Sequence, residues 1–222
     1  MNKKHLQLLA GSLLFVFAVN AQAETPVEVK LIAPIEENRG WCLDLRGRLT
    51  NAQPVGGLHG HTCDTYAGNG IGADQGYVME GIQENNEFRL AAFNDKCMTL
   101  YEPNAGSFIS METCDGRESQ VIVMNEAGQI VPSMTPELCL TMSSVVQPGG
   151  GGTPLHIMRD VTFETCDSEP NELQLWELRA EWTGPQEATA ERPYVANPNA
   201  PAPPGMGAGM GMGAAMGMGA GN

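Results

Sequence analysis

Apolar positions along the central part of the chain come in short runs broken by polar and turn residues. "VEVKLIAPI" (27–35) and "WCLDL" (41–45) are runs of this kind; "KCMTL" (96–100) and "LCLTM" (138–142) repeat the second. The runs are rich in alternating apolar residues and bounded by Gly, Asn, Asp and Pro, which predicts strands joined by turns. No segment of the core carries a helical period, and each run is too short for a helix of ordinary length.

The runs also repeat as a set. "WCLDL", "KCMTL" and "LCLTM" each open a unit, and "HTCD" (61–64), "ETCD" (112–115) and "ETCD" (164–167) close it. A glutamine two residues before a large apolar residue follows each closing: "QGY" at 75, "QVI" at 120 and "QLW" at 174. Ahead of each opening lies another apolar stretch, "VEVKLIAPI", "EFRLAAF" or "QIVPSM". Four strand-like segments repeated three times predict an all-β fold of twelve short strands with pseudo-threefold symmetry. Closure of such a structure removes exposed sheet edges.

The six cysteines, Cys42, Cys63, Cys97, Cys114, Cys139 and Cys166, fall into the three units in pairs. Six cysteines allow 15 connectivities, and the repeat selects Cys42–Cys63, Cys97–Cys114 and Cys139–Cys166. No CxxC pair is present, which argues against a thiolate metal centre, and an even count fits an oxidising compartment. Each bridge closes a loop worth roughly 3 kcal/mol through the unfolded state.

The two ends are of different material. Residues 1–23 pass from Lys3 and Lys4 through the apolar "LQLLAGSLLFVFAV" to "AQA", the order of a Sec-type signal peptide cut after Ala23. Residues 183–222 are dominated by Pro, Gly, Ala and Met and are expected to be a disordered tail. Its Met206, Met210, Met212, Met216 and Met218 suit either a flexible spacer or soft ligands for Cu(I). One domain, 24–182, lies between them. The chain carries 12 basic and 26 acidic residues, a formal charge of −14, and Lys3 and Lys4 leave with the signal peptide. Such a surface repels phosphate backbones and anionic lipid, so nucleic acid is excluded as a partner, and no segment beyond the signal peptide suits membrane insertion.

Three ordered units of Cys-x-x-apolar, a second Cys and Gln-x-apolar resemble the ricin B-type lectin family, whose fold is a β-trefoil. The resemblance covers about residues 27–182, with Tyr77 and Ile122 standing where the family usually has Trp, as in a divergent member. It implies that Gln75, Tyr77, Gln120, Ile122, Gln174 and Trp176 pack in the core. It also implies shallow sugar pockets, at most one per unit: an acid two residues after the first Cys, a stacking ring two residues before the second, and an Asn before the motif Gln. In the first unit those places hold Asp44, His61 and Asp74, beside Gln75; in the second Thr99, Glu112 and Ser119; in the third Thr141, Glu164 and Leu173. The resemblance therefore points to one degenerate sugar site, in the first unit, with glycans or polysaccharides as partners.

Some readings stay open. Asp44 and Asp74 with His59 and His61 could hold a divalent ion, although no metal or cofactor is assigned. His59 is expected to point away from this site or to lie in a turn. The loop "DTYAGNGIGAD" is either a Gly-rich surface turn or an extension of the site through Tyr66 and Asn69. No nucleophile–base constellation is legible, since the cysteines are paired, so a non-catalytic binding module is expected. The rival is a secreted trefoil scaffold for protein partners that has lost sugar binding.

Overall fold

The computed structural model describes residues 24–67, 70–169 and 171–180. The expected signal peptide, the whole of the expected tail with its methionines, and Asn69 lie outside the described residues. The fold is a β-trefoil. Its strands are β1 (Pro26–Leu31), β2 (Trp41–Leu45), β3 (Leu58–Thr62), β4 (Gly76–Val78), β5 (Lys96–Leu100), β6 (Ile109–Thr113), β7 (Ile122–Met124), β8 (Ile130–Pro132), β9 (Leu138–Met142), β10 (Gln147–Pro148), β11 (Ile157–Thr165) and β12 (Trp176–Arg179).

Three hairpins, β2–β3, β5–β6 and β9–β11, set the repeat. In each the first cysteine stands opposite the residue two before the second: Cys42 opposite His61, Cys97 opposite Glu112, Cys139 opposite Glu164. The three disulfides pair as the repeat implies, Cys42–Cys63, Cys97–Cys114 and Cys139–Cys166. The first and last strands, β1 and β12, run antiparallel from Glu28 opposite Arg179 to Leu31 opposite Trp176, which joins the ends of the domain. A buried ion pair reinforces that closure, with Arg179 donating to the Glu28 carboxylate at 2.6 Å and Thr65 donating to it at 2.8 Å.

One hydrogen-bond pattern recurs in all three units and explains why the motif glutamine is there. Gln75 donates through Nε2 to Asp44 Oδ2 at 2.8 Å and to the Thr62 carbonyl at 3.1 Å, and its Oε1 accepts from the Asp64 N–H at 2.9 Å. Gln120 makes the same three bonds with Thr99, Thr113 and Asp115. Gln174 makes them with Thr141, Thr165 and Asp167. Each glutamine thus ties the opening strand to the closing cysteine turn, and its buried amide is fully satisfied. Gln75, Tyr77, Gln120, Ile122, Gln174 and Trp176 are all buried, as the resemblance implies.

The second unit departs from the expected four strands. "EFRLAAF" forms only isolated bridges, Leu90 with Tyr77 and Arg89 with Cys97. A short helix, α1 (Met79–Asn85), precedes it, contrary to the expectation of no helix, and ends where Asn86 turns left-handed with φ 55°. Ile82 anchors that helix in the core, and Asn is one of the few non-glycine residues that accept this conformation. The third unit gains the two-residue β10.

Candidate functional site

The first-unit residues singled out from the sequence do come together. Asp44 on β2 faces His59 across the β2–β3 ladder, and alternation puts His61 on the same face as His59. The expectation that His59 points away is therefore corrected: two residues apart on one strand, the histidines share a face. Their rings lie 5.5 Å apart and 25° from parallel, so one side of His61 is covered by His59. Gly60 between them points the other way, where a Cβ would meet the Met142 methyl at 2.4 Å, which accounts for the "HGH" pattern.

Asp44 is only 4% exposed. Its Oδ2 lies 2.8 Å from Gln75 Nε2 and 3.4 Å from His61 Nδ1, and its Oδ1 has no hydrogen-bond partner among the described residues. Burial, then the charge of Asp74, raises its pKa well above the usual carboxylate range. Asp74 is equally buried, accepts from the Leu49 N–H through Oδ2, and leaves its own Oδ1 without a partner. Gln75, a candidate sugar contact in the sequence, has every amide valence committed to the fold and acts by positioning Asp44.

Sequence reasoning missed Asp64, as a member of this cluster, and His156. Asp64 follows the second cysteine of its unit, as Asp115 and Asp167 do in theirs, so its position read as a fold marker. Here it is partly buried, and burial with the charges of Asp74 and Glu28 raises it to about 6. His156 arrives from the third unit. β11 pairs with β3, with Met158 opposite His61, so the residues just before β11 land beside the first-unit site. The His61 and His156 rings meet edge-on at 5.2 Å, and Tyr66 meets His156 at 5.8 Å. Tyr66 also lies under the Arg39 guanidinium, 5.2 Å from its ring centre, so this residue borders the cluster. Burial lowers the imidazole pKa of all three rings, His59 to about 3 and His156 to about 4. The only available signal was composition: the chain has four histidines, and three of them gather here.

The place of Asp44 in the other two units is polar without being acidic, held by Thr99 and Thr141. Thr99 and Thr141 each accept from their glutamine and donate to the carbonyl of their own first cysteine, at 3.1 and 2.9 Å, which satisfies the hydroxyl on both sides. A separate open cleft of about 510 Å³ lies between β1, α1, β7 and β12, lined by Ile32, Ile82, Asn86, Met124 and Trp176 among others. It shares no residue with the histidine cluster.

No known family profile matches the chain, and no curated protein matches its sequence. Among solved structures the chain is similar to an agglutinin from Abrus precatorius, at 14% identity and a TM-score of 0.48 over 72% of this chain and 48% of that one. It therefore spans about half the length of that agglutinin chain. It is also similar to the β-trefoil lectin of the Vibrio vulnificus hemolysin/cytolysin, solved with N-acetyl-D-lactosamine bound, at 17% identity and a TM-score of 0.47 over 73% and 99%. A third similar structure is an earthworm lectin C-terminal domain mutant in complex with 6'-sialyllactose, at 14% identity and a TM-score of 0.47 over 71% and 99%. Three disulfides fit an oxidising compartment, and among the described residues no helix is long and apolar enough to cross a membrane.

Proposed function

We propose that this chain is an exported, non-catalytic carbohydrate-binding module. Its single sugar site lies in the first unit and is built on Asp44, His61 and Asp74, with Gln75 holding Asp44 in place. One observation carries the reading. At the position where two units place a fully satisfied threonine, the first keeps a carboxylate whose second oxygen has no partner. The unpaired Oδ1 atoms of Asp44 and Asp74 are buried acceptors that sugar hydroxyls reach once the side chains over them shift, and His61, His156 and Tyr66 supply rings for the C–H face of a sugar. A buried acid left half-unsatisfied destabilises the fold, which is reasonable for a residue that serves a ligand. Units two and three lack both the acid and a ring at the equivalent places and act as scaffold.

The test is a glycan array spanning galactosides, N-acetyl-lactosamine, xylans and host-type glycans, run with wild type and Asp44→Thr. The variant installs the residue of the sister units, so its fold is retained. Binding by wild type, at least tenfold weaker in the variant, is expected. Silence of the wild type across the whole array removes the sugar reading and leaves the scaffold alternative.

A further inference from the structure

We propose that His61, Asp64 and His156 form a site for a divalent transition-metal ion of the zinc type. This inference goes beyond the sugar reading and does not rest on it. One ligand atom from each residue lies within 4.8 Å of the others, and all three side chains are half-buried. Two imidazoles and a carboxylate are a donor set that suits zinc and its neighbours and leaves further coordination positions open.

Three features show that the donors are prepared rather than merely near one another. His61 Nδ1 lies 3.1 Å from the Thr62 carbonyl, which can only accept. That bond places the ring proton on Nδ1 and leaves Nε2 as the lone pair, the way an outer partner fixes the tautomer of a metal-binding histidine. His156 Nε2 is buried and has no hydrogen-bond partner among the described residues. Finally, the loop that carries His156 is built to pass close to it. A Cβ on Gly152 would sit 2.4 Å from His156 Nε2, and one on Gly149 would sit 3.0 Å from His61 Nε2.

The base of that loop is pinned. Arg39 donates to the Pro154 and Leu155 carbonyls at 2.8 and 2.9 Å, and Glu37 pairs with Arg39 at 2.6 Å, so the guanidinium charge near the site is balanced. The Asp44 carboxyl borders the same cluster, with its Oδ2 3.4 Å from His61 Nδ1. Donors around an ion with bonds of about 2.0 Å stand roughly 3.3 Å apart, so the set contracts on binding, and the glycines at 149–152 are the part that yields. The two other clusters of this kind among the described residues, around Glu28 and Glu87, draw on disulfide sulfurs, which offer no thiolate.

The experiment is calorimetric titration of the full, disulfide-intact chain with zinc chloride in sugar-free buffer. His156→Ala and Asp64→Asn are run in parallel, and their folds are checked by near-ultraviolet circular dichroism. One equivalent of zinc is expected, with affinity at least tenfold weaker in each variant. No zinc uptake by wild type, or uptake unchanged in both folded variants, overturns the proposal. Should a variant not fold, zinc-induced shifts of the His61 and His156 ring nitrogens in wild-type NMR spectra decide. Shifts at both rings support the site, and none at either overturns it. Failure here leaves the glycan result untouched, and a silent glycan array does not bear on zinc.

Discussion

Asp44→Thr should make the protein more stable at neutral pH while removing its sugar site. The buried Oδ1 of Asp44 has no partner, and leaving such an acceptor unsatisfied costs about 1–3 kcal/mol. A threonine there would accept from Gln75, as Thr99 accepts from Gln120, and donate to the Cys42 carbonyl, as Thr99 donates to Cys97. The added hydroxyl bond contributes about 1 kcal/mol, and exchanging a charge-assisted Gln75 bond for a neutral one loses about as much. A net gain of about 2 kcal/mol remains, or roughly 4–8 °C in Tm for a domain of this size. The sign of its pH dependence follows from the raised folded pKa of Asp44. An acid harder to ionise when folded destabilises the native state above that pKa, and the penalty fades as pH falls toward the unfolded value near 4. Scanning calorimetry of wild type and variant at pH 7.5 and pH 4 is the assay. A variant less stable than wild type at pH 7.5, or an equal gain at both pH values, refutes the reasoning.

Other expectations are structural. Gln174→Ala removes three hydrogen bonds of a buried amide and strands the Asp167 N–H and Thr165 carbonyl, a loss of about 3 kcal/mol in urea denaturation. Replacing Cys139 and Cys166 together by Ser frees the longest of the three loops, with a sequence separation of 27, and lowers stability by about 3.5 kcal/mol at unchanged β-sheet circular dichroism. Glu28→Ala removes the buried carboxylate that accepts from Arg179 and Thr65 where β1 meets β12, and should lose about 3–5 kcal/mol, read as a fall in denaturation midpoint. Asp64, raised to about 6 when folded, gives the native state a gain in stability as pH falls from about 6 toward 4. Because the lowered histidines act in the opposite direction below pH 6.5, the Asp64 contribution is read as the difference between wild type and Asp64→Asn across that window.

The threefold repeat, the disulfide pairing and the β class were legible in the sequence because each is written locally. Alternating apolar runs specify strands, turn residues bound them, and a motif that recurs three times reports one unit fold three times. Asp44 stood out for the same reason, since its sister positions hold threonine. The helix at Met79–Asn85 was not legible, because seven residues are too few for a period and its end depends on Asn86 accepting a left-handed turn. His59 was misplaced although strand alternation fixes it beside His61. Only the tertiary structure could supply His156 and reveal Asp64 as part of a site. β11 crosses from β9 to β3, carrying a third-unit residue to a first-unit strand, and burial in the cluster shifts the charge preference of Asp44, Asp64 and the three histidines. Sequence set the scaffold through short-range patterns; long-range strand pairing decided which side chains meet.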